Sequence, residues 1–241
     1  MVKPMTFELP ESLDELPESL GELPESLGLF PLPGALLIPL GQLSLNVFEP
    51  RYLHMVEDAF SRGRIIAVIQ PMASHDSPPP DDVPLYTVGC AGRIVSFDET
   101  HEGTYLITLL GVHRFRLAGP ARLTARGYRE ASVDYGAFNI DRTADPESIF
   151  TDQKDTREYL ADTARVYFER RGIEADWDEM ARMPLNTLVT TLAMNCPFDA
   201  REKQALLESP DPARRHALLM SLLTMANHQV GAPTNTTPAR H

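Results

Sequence analysis

Cysteine is scarce in this 241-residue chain, and long apolar runs are missing altogether. The two cysteines, Cys90 and Cys196, lack the close Cys and His spacing of a metal site, so we expect buried thiols in a reducing compartment. No apolar run reaches the roughly 18 residues that a membrane-spanning helix needs. The N-terminus, with one lysine followed by acidic repeats, does not have the pattern of a secretory signal. These absences predict a cytoplasmic protein with no membrane partner.

Positive charge is also in short supply. The formal net charge is −12, and lysine occurs only at Lys3, Lys154 and Lys203. Nucleic-acid affinity depends largely on Lys and Arg replacing the counterions of the phosphates, and here the arginines are scattered among acids without a basic stripe. Nucleic acid is therefore not expected as a partner, although a local basic patch in three dimensions stays open.

Motifs for catalysis are missing as well. There is no GxxxxGK[ST] loop and no Gly-Lys pair that would hold a nucleoside triphosphate. His113 has no Cys or Ser partner at a recognisable catalytic spacing. The acids Asp176, Asp178 and Glu179 suit the first turn of a helix better than a metal site, because the helix dipole favours negative charge there. We predict no catalytic residue, no cofactor and no metal.

The first ordered pattern that is present is a repeat. Three near-identical heptads, ELPESLD, ELPESLG and ELPESLG, fill residues 8–28. Each contains a proline, which would interrupt a helix at every second turn and so argues against a coiled coil. We predict a disordered acidic arm over residues 1–28 and leave open its use as a docking tail. A second disordered segment is predicted at 229–241.

Residues 29–140 have the pattern of a β domain. Residues 50–62 are typical of one amphipathic helix with Tyr52, Val56, Ala59 and Phe60 on its apolar face. A long loop is predicted at 71–84 because of its prolines and aspartates. Strand-like segments surround both, at 64–70, 85–96, 104–110, 112–118 and 121–134. This pattern predicts a compact, mostly antiparallel barrel-like domain with one inserted helix.

Residues 150–228 have a helical pattern instead. Asp176 with Glu179, and Asp199 with Glu202, have the spacing of helix capping boxes. Asp211 before a proline is another start signal. Apolar residues recur at helical spacing around these caps, and the core is expected to include Met180, Met183 and Met194. We predict a bundle of roughly four helices.

Several short motifs occur in a characteristic order: FPLP at 30–33, NVFEPRY at 46–52, VGCAGRI at 88–94, GVHRFR at 111–116 and NCPFDAREKQALLESPD at 195–211. Each motif alone has little specificity, but the ordered set resembles the N-terminal, substrate-binding domain of the Lon protease family over residues 29–226. One departure is a turn that reads Pro39-Leu40-Gly41, where the resemblance leads us to expect Pro-Gly.

The resemblance implies an α+β fold, with an N-terminal β pseudo-barrel of about six strands and one inserted helix ahead of a C-terminal helical bundle. It also implies recognition of unfolded or degron-bearing polypeptides, which Lon proteases pass to an ATPase ring and a peptidase. A Lon-type serine and lysine arrangement is absent from this sequence. We therefore expect a non-catalytic adaptor or holdase that works with a protease or chaperone. The alternative is a pseudo-barrel that binds RNA, and the oligomeric state is left open.

Five residues are candidates for partner binding: Glu49, Arg51, Tyr52, Arg93 and Arg114. The first three lie at a predicted helix start, where a carboxylate, a guanidinium and a ring can hold a peptide or can simply stabilise the helix end. Arg93 and Arg114 precede apolar residues in predicted strands. Their side chains are therefore expected on the opposite face, lining an exposed groove or standing as ordinary solvated arginines.

Overall fold

The computed structural model describes residues 23–72, 83–142, 150 and 153–229. The predicted arm as far as residue 22, most of the predicted loop at 71–84, and the predicted tail from residue 230 lie outside these residues. The described part has a sheet with one helix, followed by further helices. This order confirms the predicted α+β class.

Seven strands form one mixed sheet: β1 Ser26–Pro31, β2 Gln42–Val47, β3 Ile65–Pro71, β4 Leu85–Glu99, β5 Tyr105–Leu117, β6 Arg122–Leu123 and β7 Arg129–Asp134. Their order across the sheet is β2-β5-β4-β3-β1-β7-β6. The β1–β3 pair is parallel and the other pairs are antiparallel. A short pairing of β5 with β7, at Arg116–Asp134 and Leu117–Val133, curls the sheet back on itself. The result is a curled mixed sheet and not a clean barrel.

The strand boundaries differ from the sequence prediction at three places. β1 begins at Ser26, which pairs with Ser132, so residues 26–28 belong to the sheet and not to the predicted arm. The two segments predicted on either side of Gly111 are a single strand, because Gly111 continues the ladder opposite Gly92. The segment predicted at 121–134 is divided into β6 and β7 by a turn at Gly127, where φ is +86°. The merger and the division cancel in the strand count, and with β1 and β2 the sheet has seven strands where about six were expected.

The inserted helix, α1, runs from Pro50 to Phe60 and follows β2. Proline at the first helical position has the correct φ and no N–H that would need a partner. The helix buries Tyr52, Met55, Val56 and Ala59, and it contacts β1 and β3. Phe60 was predicted on this buried face, but 37% of its surface is exposed, because it lies in the last turn at the rim of the sheet.

Five helices follow, where roughly four were predicted: α2 Gln153–Arg171, α3 Trp177–Arg182, α4 Leu185–Asn195, α5 Ala200–Glu208 and α6 Pro212–Gln229. The extra element is the short helix α3, which ends at Arg182 with Met183 as its C-cap, and Pro184 is the N-cap of α4. All three predicted helix starts are confirmed, and of the two predicted capping boxes the structure shows the one at Asp199 complete. The Asp176 side chain accepts from the Glu179 N–H, Asp199 and Glu202 form a complete capping box, and Asp211 accepts from the Arg214 N–H.

The interior has two apolar clusters. The smaller one lies within the curl of the sheet and comes from β1, β3, β4, β5 and β7. The larger one joins α1 and the other face of the sheet to the helices, and it includes the predicted core residues Met180, Met183 and Met194. Cys90 and Cys196 are free and buried in this larger cluster. Leu40 takes the left-handed conformation, with φ of +68°, so a leucine makes the turn at the departure from Pro-Gly.

Candidate functional site

Arg114 is buried in the contact between the sheet and the helices, with none of its surface exposed. Its Nη2 lies 2.7 Å from Oδ1 of Asp141, and its Nη1 donates to the carbonyl of Leu207 at 2.9 Å and to that of Ser209. The guanidinium carbon lies 4.4 Å from the ring centre of Phe138. We call this set the Arg114 junction. The prediction that Arg114 lines an exposed groove is wrong, because the connection between α5 and α6 covers this face of β5.

The Arg114 junction is surrounded by other buried polar groups that have partners. Arg215 donates from Nε to the carbonyl of Leu206 at 3.1 Å. Burial, followed by the nearby Arg114, lowers the pKa of Arg215 to about 10. Gln204 of α5 donates both to the carbonyl of Val88 in β4 and to the side chain of Glu208. Since a buried charge is costly unless it is paired, this network fixes how α5 and α6 lie on the sheet.

Glu49, Arg51 and Tyr52 lie together at the start of α1, as predicted. Arg51 Nη2 is 2.8 Å from Glu49 Oε2, and the Arg51 guanidinium carbon is 4.8 Å from the ring centre of Tyr52. Tyr52 belongs to the core, with its ring centre 4.4 Å from that of Phe30, and burial raises its pKa while Arg51 opposes that rise. Glu49 and Arg51 are each about one-fifth exposed. Partner binding by these three residues stays a prediction.

Arg93 lies in β4, opposite Ile65 of β3 and Leu110 of β5, and it is half-buried. Since Arg114 is buried in its junction, the two strand arginines do not line one groove. A role for Arg93 in partner binding also stays a prediction. His113 is buried beside Tyr135, with its Nδ1 2.6 Å from the carbonyl oxygen of Arg114.

Three partly exposed rings meet at the opposite end of β5, and sequence reasoning did not group them. Phe60, in the last turn of α1, packs edge-on against Phe97 of β4 with ring centres 5.0 Å apart. Phe97 in turn lies 4.9 Å from the ring centre of Tyr105 in β5. Phe60 and Phe97 are 37% and 38% exposed. We call these three residues the aromatic cluster.

A row of apolar side chains connects the aromatic cluster to the edge of the sheet. Directly paired residues of an antiparallel ladder share a face, so Phe97, Ile107 of β5 and Leu45 of β2 form one row. Tyr105 pairs with Val47 in the next row, and Phe48, which follows, is 62% exposed. Ile107 and Val47 are buried, so the exposed apolar surface here comes from the aromatic cluster, half-buried Leu45 and Phe48. Exposed apolar patches are characteristic of interaction sites.

Charged groups beside the aromatic cluster are paired with one another. Arg126, in the turn between β6 and β7, bonds to Glu57 and lies 2.6 Å from Asp58, both in α1. Burial would raise the pKa of Asp58, but hydrogen bonds from Tyr128 and Arg126 bring it below its usual value. Burial and the bond to Asp58 raise the pKa of Tyr128 to about 12. These contacts hold the β6–β7 turn against α1.

Possible metal ligands and reactive thiols were the remaining candidates in the part of the chain that the structure describes. No group of three or more His, Cys, Asp or Glu side chains there is placed to hold a metal ion. Burial raises the pKa of the Cys90 and Cys196 thiols, that of Cys196 to about 12, which disfavours the reactive thiolate. Among the same residues, no helix has the length and apolar character to cross a membrane.

Comparison with known proteins gives a consistent set of matches. The sequence model of the ATP-dependent protease La (LON) substrate-binding domain matches residues 26–225. The chain is 26% identical to Lon protease 2 of Sorangium cellulosum (strain So ce56) over 199 residues, which are 81% of this chain and 24% of that protein. It is 26% identical to Lon protease 2 of Myxococcus xanthus over 196 residues, 81% of this chain and 23% of that protein. The chain therefore spans about a quarter of the length of these curated relatives.

Solved structures show the same fold. The Lon N-terminal domain protein from Xanthomonas campestris aligns with a TM-score of 0.54 at 26% identity, covering 81% of this chain and 97% of that one. The N terminal domain of Mycobacterium avium complex Lon protease aligns with a TM-score of 0.53, covering 83% and 98%. At 12% identity the second match concerns the fold alone.

Proposed function

Since the chain belongs to the family of Lon protease substrate-binding domains, we propose that it recognises polypeptides and is not itself a catalyst. The segments it would bind are unfolded or degron-bearing. The ATPase and protease activities belong to relatives of which this chain covers about a quarter. Our proposal therefore concerns recognition alone, with a protease or chaperone receiving what is bound.

The aromatic cluster is the observation that supports this proposal most. Aromatic side chains contribute large contact areas and are enriched where proteins bind other polypeptides. Unfolded chains differ from folded ones chiefly in exposing apolar side chains, which Phe60, Phe97 and Tyr105 can cover. The cluster lies on the ends of α1, β4 and β5, so a packed scaffold holds the rings in place.

Polypeptide binding is favoured over RNA binding by the state of the arginines near α1. Arg51 is paired with Glu49, Arg62 with Glu130, and Arg126 with two carboxylates of α1. RNA binding needs cationic side chains that replace the counterions of the phosphates, and these three are neutralised locally. The net charge of −12 also disfavours RNA binding.

We propose that the protein acts as an adaptor or a holdase in the cytoplasm. The location is supported by two free, buried cysteines, which suit a reducing compartment. An adaptor would retain a protease as well as a client, whereas a holdase would retain assorted unfolded proteins. Affinity capture followed by identification of the retained proteins separates these two roles.

Binding of a permanently unfolded, carboxymethylated model protein, followed by fluorescence anisotropy, tests recognition. We expect Phe97→Ser to weaken binding at least about fivefold, the effect of losing roughly 1 kcal/mol at a central contact. Leu123→Ser is the matched control, because Leu123 is 62% exposed on β6, at the opposite edge of the sheet. No binding by the folded parent protein, or equal weakening by both variants, would contradict the proposal.

A further inference from the structure

β2 lies at one end of the strand order and is hydrogen-bonded only to β5 among the described residues. The N–H of Gly111 donates to the carbonyl of Gly41, which continues the register in which Gln42 lies opposite Leu110. Bonded and non-bonded pairs alternate in an antiparallel ladder. The backbone groups of Leu43, Leu45 and Val47 therefore bond to β5, and those of Gln42, Ser44 and Asn46 point outward. We call these outward groups the β2 edge.

The β2 edge lacks the devices that usually protect a strand edge. Natural sheets protect exposed edges with charges, prolines, bulges or very short strands. β2 has six residues in unbroken register, and none is charged or a proline. The sequence carries no charged residue from Ser26 to Phe48, in a chain in which 23% of residues are charged. The opposite edge is protected, since β6 has only two residues and one is Arg122.

Apolar side chains flank the β2 edge on both faces of the sheet. On one face, half-buried Leu45 lies in the row that leads through buried Ile107 to Phe97 of the aromatic cluster. On the other face, Leu106 pairs with Asn46 and is 47% exposed. An added strand presents its side chains alternately to the two faces, so each face offers apolar contact to alternate residues of a bound segment.

The charge distribution favours another polypeptide over a second copy of this chain as the occupant. Two copies would each bring a net charge of −12. Across the sheet from the β2 edge, Asp98 lies in the row of Leu106 and Asn46, and Glu99 lies in the row of Tyr105 and Val47. These carboxylates disfavour an acidic strand and favour a neutral or basic one.

We propose that the β2 edge binds a neutral or basic extended segment of a client polypeptide as an added strand. The inference rests on the proposed function and adds its mode of binding: main-chain hydrogen bonds at Gln42, Ser44 and Asn46 hold the segment, while Leu45 on one face and Leu106 on the other contact its side chains. Main-chain recognition of this kind depends little on client sequence, which suits a protein that binds unfolded chains.

Hydrogen exchange with and without the carboxymethylated protein tests the inference. We expect slower exchange of the Gln42, Ser44 and Asn46 amides when the unfolded protein binds, because these three N–H groups gain partners. The inward amides of Leu43 and Leu45 are already bonded to β5 and should change little. Binding without this protection would overturn strand addition and leave the proposed function in place. No binding at all would overturn both.

Two variants separate main-chain from side-chain recognition. Ser44→Pro removes one outward N–H and leaves the inward bonds to β5, and proline is tolerated on edge strands in that orientation. Thr108→Ala is the control, because it removes the hydroxyl that contacts the Ser44 hydroxyl at 3.3 Å and leaves the outward N–H of Ser44 in place. We expect Ser44→Pro to weaken binding about tenfold or more, the effect of one lost hydrogen bond and a disturbed strand. Thr108→Ala should bind like the parent. Equal binding by Ser44→Pro, with its fold verified by circular dichroism, would overturn the inference.

Peptides and sedimentation test the occupant. A ten-residue peptide of alternating valine and lysine should bind more tightly than one of alternating valine and glutamate, with the difference shrinking as salt rises. Tighter binding of the glutamate peptide would contradict the charge argument. Protection of the β2 edge without a client, together with a dimer in sedimentation, would identify a second copy as the occupant and overturn the proposal.

Discussion

The two halves of β5 have opposite environments within one continuous strand. From residue 109 to 115 every residue is buried, and this half carries Arg114 into its junction with the helices. At the other end, Tyr105 and Leu106 are at least partly exposed, beside the aromatic cluster and the β2 edge. One strand thus anchors the fold at one end and exposes aromatic and apolar side chains at the other.

Arginines near the two ends show the same contrast. Arg114 and Arg126 are both paired with carboxylates, but Arg114 has no exposed surface and the Arg126 side chain is 41% exposed. A buried pair is strongly destabilising to break, because the remaining charge has no water to solvate it. An exposed pair exchanges its partner for water.

Arg114→Ala is expected to have the largest effect, a loss of about 3–5 kcal/mol in the free energy of unfolding, since it leaves Asp141 buried without its guanidinium. Denaturant titration measures this loss. Arg114→Lys should lose less stability than Arg114→Ala but remain less stable than the parent protein, because an ammonium keeps the charge but not the planar fork. Arg126→Ala is the control, because the ion pairs of Arg126 with Glu57 and Asp58 are partly exposed to water. A similar loss of stability in Arg114→Ala and Arg126→Ala would show that burial does not make the Arg114 pair the more important one.

Gly111→Ala tests the packing of the buried half of β5. A Cβ at this position would overlap the carbonyl oxygen of Ile38, which is backbone and cannot rotate away. We expect a loss of about 1–3 kcal/mol, typical of overpacking, measured by thermal or denaturant unfolding. Gly119→Ala is the matched control, since nothing lies within 4 Å of the added carbon. Equal stability of the two variants would show that the loop at Ile38 yields easily.

Tyr105→Phe tests whether the exposed end of β5 contributes to stability. It removes the hydroxyl that donates to Glu57 at 3.1 Å while keeping the ring in the aromatic cluster. Because water can replace this bond, the free energy of unfolding should change by no more than about 0.5 kcal/mol. Client binding should be retained. A loss approaching that of Gly111→Ala would mean that this end also stabilises the fold.

His216, next to Arg215 on α6, should give the smallest effect, visible only in the pH dependence of stability. Burial lowers the pKa of His216, and its buried Nε2 has no hydrogen-bond partner among the described residues. The unfolded chain, in which histidine has a pKa of about 6.5, therefore takes up the proton first as pH falls. The contribution is complete above that pH and is lost as pH falls toward the lower folded pKa. His216→Leu should flatten the dependence of the free energy of unfolding on pH below about 6.5, measured by denaturant titrations at several pH values. An unchanged pH dependence in this variant would contradict the prediction.

Much of the fold was predictable because periodicity and capping are local signals. The caps at Asp176, Asp199 and Asp211 and the inserted helix followed from spacing alone. The misses depended on tertiary context. Phe60 has helical spacing with the core residues but lies beyond the rim of the sheet, and Gly111 does not interrupt β5, because its missing side chain makes room for the loop at Ile38.

The site was less predictable than the fold. Arg114 has the strand alternation of an exposed residue, and it is buried by Phe138 and Asp141 together with the α5–α6 connection. The aromatic cluster joins residues from three elements, and its grouping depends on the registers of β4 and β5. Phe97 also lies one residue beyond the strand predicted at 85–96. Sequence reasoning had no signal for that grouping, since bulges in the β4–β5 ladder decide which residues share a face.

The start of β1 at Ser26 has a consequence for how the chain is set in register. The last heptad, ELPESLG, ends inside the sheet, and it is followed by Leu29, which has no exposed surface. If the chain slid by one heptad, an identical Ser-Leu-Gly would fill the first half of β1, but Glu22 would then take the place of Leu29. A carboxylate in that position would be buried without water, so Leu29 favours the register that uses the last of the three near-identical copies. Whole heptads added to or removed from the arm ahead of it would leave the sheet unchanged.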